Sequence, residues 1–280
     1  MSGIRTVAQW IDAIAAELHS VAERPRREAE LLLMEYLGRD QLWLITHQDE
    51  PVEEARRLEE WTARRAADEP LEYITHRVSF YSQTFHIEPG ALIPRPETEL
   101  LVDRVLEAAD PEREMTIVEV GVGSGVVSIV LAQHLPKARI IAVDISGKAL
   151  SVARKNIESF GLEERIELRR GNLLGPVSEP IDILVSNPPY VAEGAPLERN
   201  LSYEPDLALF GGAEGDEIVR ELLDAVDARK IPVSAFEFGY DQKAKVEAYV
   251  AGRGYASLAF YKDLAGFDRG FVITYGKDVQ

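Results

Sequence analysis

The stretch Ile117-Val118-Glu119-Val120-Gly121-Val122-Gly123-Ser124-Gly125 does most to limit what this chain can fold into. Its first four residues read as a strand, its three alternate glycines as a turn, and the following Val126-Val127-Ser128-Ile129-Val130-Leu131-Ala132 as a helix. Glycine permits backbone angles that a β-carbon forbids and lets the main chain approach a ligand, while a helix start presents unpaired N–H groups. The combination is a nucleotide-type binding loop. Its G-x-G-x-G spacing lacks the last glycine of the dinucleotide fingerprint, and no Lys-Ser/Thr pair follows as in a P-loop, so pyrophosphate is not the expected ligand. A carboxylate at Glu119 would repel a phosphate and suits a cationic ligand with an amino group, a description that S-adenosylmethionine meets. Glu119, Gly121, Val122, Gly123, Ser124 and Gly125 are therefore the expected cofactor loop, although a buried strand-to-helix turn that binds nothing carries the same local pattern.

A second strand, Arg139-Ile140-Ile141-Ala142-Val143, ends in Asp144, near the roughly 20-residue offset at which an acid accepts hydrogen bonds from ribose hydroxyls. The other role open to Asp144, or to Ser146, is to cap a helix over residues 148–160. A third strand over residues 166–170 leads to Gly171-Asn172-Leu173, where Asn172 and Leu173 can offer an adenine an amide and an apolar face, or simply form a turn. The apolar run 181–186 reads as a buried strand entering Asn187-Pro188-Pro189-Tyr190. Two consecutive prolines fix φ and remove two N–H donors, which ends the ladder and leaves carbonyls as unused acceptors. The Asn187 side-chain oxygen and the Pro188 carbonyl can then hold both hydrogens of an –NH2 group, while Tyr190 lies against a conjugated substrate. This points to methyl transfer onto a planar amide or amine nitrogen, with Asn187, Pro188, Pro189 and Tyr190 as the expected catalytic loop. A strand-terminating turn is the plainer alternative.

The glycine loop, Asp144, Asn187-Pro188-Pro189-Tyr190 and the segment Leu92-Ile93-Pro94-Arg95-Pro96-Glu97-Thr98-Glu99 together resemble the release-factor glutamine methyltransferases of the PrmC/HemK type. The resemblance extends to Tyr203-Glu204-Pro205, Ala208-Leu209-Phe210-Gly211-Gly212 and Tyr261-Lys262-Asp263-Leu264-Ala265-Gly266, and so covers nearly the whole chain. It implies an α/β fold: a Rossmann-like, doubly wound, mostly parallel seven-stranded sheet, preceded by a small all-helical domain that helps seat a protein substrate. It also implies S-adenosylmethionine as cofactor and, as substrate and partner, the glutamine of the Gly-Gly-Gln motif in class I peptide chain release factors. The Leu92-to-Glu99 segment is the more specific marker, and its prolines suit an extended, mainly architectural linker. Three departures stand out: Asn172 where an Asp is common, Ile231-Pro232-Val233 in place of a glycine-containing turn, and the terse helix end Ala228-Arg229-Lys230. The rival enzyme is a nucleobase amino methyltransferase, whose substrate is also a planar conjugated amine.

The domains expected are residues 1–70 (helical), 71–92 (a hairpin connector) and 93–280 (the methyltransferase). Thr6 can cap a helix whose Val7, Trp10, Ile11, Ile14 and Leu18 share a face. A second helix runs from Arg24-Pro25 to Leu37 with Leu31, Leu32, Met34 and Leu37 inward, ended by Gly38, and a third starts at Pro51 with Leu58 and Trp61 inward. Trp10, Trp43 and Trp61 are expected core residues, and the alternation of Phe80, Tyr81, Phe85 and His86 predicts a hairpin whose aromatics pack. His19, His47, His76, His86 and His134 show no metal-ligand spacing and cysteine is absent, so no metal or disulfide is expected. Acidic residues outnumber basic ones 48 to 31, giving a formal charge of −17 with no basic stripe, which weighs against stable nucleic-acid binding and favours a basic protein partner. The most apolar stretch, 116–132, is interrupted by Glu119 and glycines, so no membrane span is expected and the chain reads as cytoplasmic.

Overall fold

The computed structural model describes residues 5–276; the outermost residues of the expected first and last domains, 1–4 and 277–280, lie outside it. The chain forms two units, one of residues 1–77 with 198–203 and the other of 78–197 with 204–280.

In the first unit β1 (Arg5–Thr6) pairs antiparallel with β2 (Pro51–Val52), and around them lie α1 (Val7–Glu17), α2 (Pro25–Leu37), α3 (Gln41–Thr46), α4 (Arg56–Ala66) and α5 (Leu71–Thr75). Thr6 and Gln9 form a reciprocal capping box at the start of α1, which satisfies two otherwise orphaned N–H groups and contributes about 1 kcal/mol. Pro25 occupies the first turn of α2, and Gly38 closes it with φ 63°. Its inward stripe is Ala29, Leu32 and Leu33, while Met34 and Leu37 are only partly buried and Leu31 stays out of the core, because one helical face is read at spacings of three and four. Pro51 does not begin a helix: it pairs in β2, Glu54 takes φ 51°, and α4 starts only at Arg56, with Leu58 and Trp61 buried as expected. The short α3, capped by Asp40, has no counterpart in the sequence reading; it buries Leu44 and leaves Trp43 half-buried against His47. The segment Arg199–Tyr203, a 3-10 helix, belongs to this unit, and its Tyr203 hydroxyl donates to Ala67 O at 3.0 Å.

The second unit opens at Val78, within the hairpin of β3 (Arg77–Phe80) and β4 (Gln83–His86), turned through Tyr81 and Ser82 at positive φ, with Phe80 and Phe85 buried. Then follow α6 (Thr98–Ala108), β5 (Met115–Val120), α7 (Val126–His134), β6 (Ala138–Asp144), α8 (Gly147–Ser159), β7 (Ile166–Arg170), β8 (Ile183–Ser186) and β9 (Val191–Ala192). After the 3-10 segment come α9 (Asp206–Leu209), β10 (Phe210–Gly212), α10 (Glu217–Arg229), β11 (Val233–Glu237), α11 (Lys243–Val250), β12 (Tyr255–Lys262) and β13 (Asp268–Tyr275). Seven strands form one sheet in the order β12-β13-β11-β8-β5-β6-β7, in which β13 runs antiparallel to both of its neighbours and the other six share one direction. Central strands of such a sheet are covered on both faces, and β8 is accordingly buried throughout while β5 is buried at five of its six positions. The sheet is the doubly wound, mostly parallel one expected, and its order reverses beside β5.

Candidate active site

Parallel strands end on one edge, so the turns after β5, β6, β7 and β8 converge there. They wall a cavity of about 210 Å³ lined by Gly121 and Gly123, Asp144 to Ser146, Gly171 to Leu173 and Ser186 to Pro189, with Leu92, Leu207 and Phe210 adding apolar surface. The glycine turn is held by main-chain bonds: Gly121 N and Val122 N both donate to Val143 O on β6 at 2.9 and 3.0 Å, and Gly125 N donates to Val122 O at 2.8 Å. Gly121, Gly123 and Gly125 all take positive φ (79°, 54° and 85°), which is why these three positions of the turn favour glycine.

Asp144 accepts from Gly123 N at 3.0 Å through one oxygen and from Ser146 N at 2.8 Å through the other. Burial raises its pKa, against three backbone N–H groups that pull it down. The helix cap is Ser146, whose hydroxyl accepts from Ala149 N at 3.2 Å, so Asp144 is left on the cavity wall. Asn172 and Leu173 also line the wall, and Leu173 holds φ 47°, a strained conformation for a leucine.

Glu119 does not line the cavity. It is buried behind the turn, where it accepts from Ser128 N at 3.0 Å and from the Ser128 hydroxyl, and burial pushes its carboxyl up to about 8. Val122 and Ser124 are buried and, like Gly125, stand off the wall. Asn156 supplies a brace the sequence reading missed: its amide accepts from His86 N at 2.8 Å and donates to His86 O at 2.9 Å and Ser124 O at 2.8 Å, tying β4 to the glycine turn. A lone Asn on the apolar face of an amphipathic helix was its only signal.

The turn after β8 is held differently. Asn187 Nδ2 donates to Thr98 Oγ1 at 3.1 Å, and Thr98 Oγ1 donates to Glu237 Oε2 at 2.8 Å. Gln242 Nε2 donates to Tyr190 O at 2.9 Å. Gly211 lies so close that a β-carbon there would sit 2.3 Å from Pro189 O and 2.5 Å from Gly215 O. Tyr190 does not line the cavity; burial, and then the Glu237 carboxylate, push its phenol up to about 12. Burial likewise pushes Glu237 up to about 7, opposed by the Thr98 hydrogen bond and by Arg269. Thr98 and Glu237 were not among the expected site residues, although a lone carboxylate closing the strand Val233-Ser234-Ala235-Phe236-Glu237 is a signal in hindsight. The Leu92 segment is anchored by Glu204, which accepts from Ile93 N at 3.0 Å and Arg95 at 2.5 Å.

The residues present suit S-adenosylmethionine: an acid at the end of β6 for hydroxyls, the Asn172 amide and apolar Leu173 and Ile145 for a base, and Gly121 and Gly123 at the wall for close approach of the main chain. The chain matches the family described as methyltransferase small domain over residues 96–201 and the PrmC N-terminal domain over residues 9–75. A release factor glutamine methyltransferase of Moorella thermoacetica is 39% identical over 258 residues, 89% of this chain and 91% of that protein. One from Koribacter versatilis is 37% identical over 275 residues, 94% of this chain and 96% of that protein. Among solved structures, the ribosomal protein L11 methylase of Lactobacillus delbrueckii subsp. bulgaricus shares the fold with a TM-score of 0.50 at 21% identity, covering 68% of this chain and 83% of that one. The human METTL16 catalytic domain in complex with an RNA hairpin shares it at TM-score 0.60 and 14% identity, covering 79% and 84%. With full-length relatives at this identity and a glycine turn, strand-end acid and Asn-Pro-Pro-Tyr loop around one cavity, the chain belongs to the release factor glutamine methyltransferase family.

Proposed function

We propose that this enzyme methylates the N(5) side-chain nitrogen of a glutamine, that of the Gly-Gly-Gln motif of class I peptide chain release factors. The observation that carries the chemistry is the Asn187 amide, fixed by Thr98 at the cavity wall beside the Pro188 carbonyl. S-adenosylmethionine, when bound, supplies an electrophilic methyl group on a sulfonium. Gly121, Gly123, Asp144, Asn172 and Leu173 would hold it, and Glu119, behind the turn, would act through Ser128 and the helix start. An amide nitrogen is a poor nucleophile because its lone pair is delocalised, so the protein must hold the –NH2 and favour a more pyramidal nitrogen. Asn187 Oδ1 and Pro188 O each accept one N–H, which stabilises the positive charge that develops on that nitrogen and aims its lone pair away from the loop. Pro189 keeps the loop from rejoining the ladder, and Tyr190 clamps the amide plane once substrate enters. The extra proton leaves to water, so no side chain needs to act as general base.

We further propose that residues 1–70 seat the release factor and that residues 71–92 connect the domains. A formal charge of −17 suits a basic cytoplasmic protein as partner better than nucleic acid. Among the described residues no helix is long and apolar enough to cross a membrane. The test is transfer of labelled methyl to a purified release factor, to its Gln→Ala version, and to bulk RNA and DNA. Label on the native factor alone supports the proposal; label on nucleic acid, or on the Gln→Ala protein equally, overturns it.

A further inference from the structure

We infer that Glu237, acting through Thr98, sets the hydrogen-bond polarity of Asn187, so that the Asn187 oxygen and not its NH2 meets the substrate nitrogen. This rests on the reading of Asn187 as the amide clamp. An asparagine amide has an accepting and a donating end of nearly equal shape, and only its partners decide which end faces where. An ionised carboxylate can only accept, so at 2.8 Å the single hydroxyl hydrogen of Thr98 is committed to Glu237. Toward Asn187, Thr98 is left only a lone pair, and it is met by Nδ2 at 3.1 Å. Oδ1 is then the end left for a substrate, and it can receive an N–H. Turned over, Asn187 would present hydrogens to the hydrogens of an –NH2 group.

Three elements distant in sequence build this chain: the first residue of α6, the turn after β8 and the last residue of β11. Glu237 is 1% exposed, and its second oxygen, Oε1, has no partner, so the carboxylate has been buried for little return in stability. Arg269, Arg95, Glu97, Tyr190 and Tyr261 also face it; the arginines favour its ionised form, while burial and Glu97 oppose it and bring it to about 7. Protonated, Glu237 becomes a donor, releases the Thr98 hydrogen toward Asn187 and removes the constraint. Glu237 and Thr98 are positioning residues, acting through Asn187.

The test measures methyl transfer, cofactor binding and Asn187 side-chain hydrogen exchange by nitrogen-15 NMR in full-length wild type, Thr98→Val, Thr98→Ser and Glu237→Gln. Thr98→Val is expected to lower kcat about 10- to 100-fold, with cofactor affinity and substrate KM held within about twofold. Thr98→Ser, which keeps the hydroxyl, restores the rate. Wild-type kcat should rise with pH through about 7, and Glu237→Gln should lose that rise. Asn187 NH2 exchange should be slow in wild type and Thr98→Ser and fast in Thr98→Val. Wild-type kcat in Thr98→Val, no rescue by serine, or an unchanged pH profile in Glu237→Gln each overturns the inference. Should Thr98→Val fail to fold or to bind cofactor, the Glu237→Gln profile decides. Should wild type label a nucleobase amine instead of the release factor, the glutamine reading falls, while the same variants on that amine still judge the relay. Should no substrate be labelled, exchange at Asn187 judges it alone.

Discussion

The turns after β5 and β8 leave neighbouring strands of one sheet and wall the same cavity, yet they are held in opposite ways. The first is held mainly through its own main-chain N–H groups, which bond to Val143 O and Val122 O and to the Asp144 carboxylate, with Asn156 bracing Ser124 O. The second depends on Thr98, on Gly211 and on Glu237 with Gln242, residues from three separate stretches of chain. A turn whose own N–H groups make most of its bonds depends on glycine spacing and on the adjoining strand, whereas one closed chiefly by remote side chains is specified only once the rest of the unit has packed. The first should therefore tolerate changes elsewhere, and the second should fail when any of its distant supports moves.

The largest effect should come from Asn187→Ala, which removes the acceptor for the developing charge: kcat is expected to fall by at least about 100-fold in a methyl-transfer assay, with cofactor affinity nearly unchanged. An equal loss of cofactor binding would break the division between the two turns. Gly211→Ala comes next. Its β-carbon would meet Pro189 O at 2.3 Å, and a displacement of about 1 Å in the loop should lower kcat by about 100-fold while circular dichroism stays native. Wild-type turnover in that variant would show that the loop is not held from Gly211. On the other side of the comparison, Asp144→Asn should weaken cofactor binding by about 1.5–3 kcal/mol, read by calorimetry, because it removes the charge from two backbone hydrogen bonds and from the ligand's hydroxyls.

Glu119 gives a smaller, pH-dependent signature. Its folded pKa of about 8 lies above the ordinary 4.5, so the folded state binds the proton more tightly than the unfolded one. Stability from this group is present in full below about 4.5 and is lost as pH rises toward about 8, and Glu119→Gln should flatten the denaturant midpoint across that window. The smallest effect is expected at Lys230, which closes α10 at φ 54° where a glycine is usual. Lys230→Gly should raise stability by up to about 1 kcal/mol in chemical denaturation, less whatever the stacking of Lys230 on Tyr275 contributes.

Legibility followed the same division. Gly121, Gly123, Asp144, Asn172, Leu173 and Asn187 to Pro189 were read from sequence and do line the cavity. Glu119 and Tyr190 were singled out for the right turns, but their side chains stand off the wall. Helix α1 was legible through its capping box, while α3 was too short to show a period and Pro51 signalled a helix start that its pairing with Thr6 overrode. Thr98 lay within a quoted motif and Glu237 ended a recognised strand, yet neither could be paired with Asn187, because Thr98 stands 89 residues from Asn187 and 139 from Glu237.

By itself, then, the sequence determined the strand-and-turn grammar of the parallel strands around the cavity: where β5, β6, β7 and β8 run, where glycine must break them, where proline must end a ladder, and which acid closes β6. Those are local properties, set by backbone sterics within a few residues. Only the tertiary structure decided which way the Asn187 amide faces, that Ser146 and not Asp144 caps α8, and that Glu119 is sequestered by Ser128. The first joins residues 89 apart, and the other two are choices among several nearby partners; in each, the partner is settled only when packing brings one donor and one acceptor within about 3 Å.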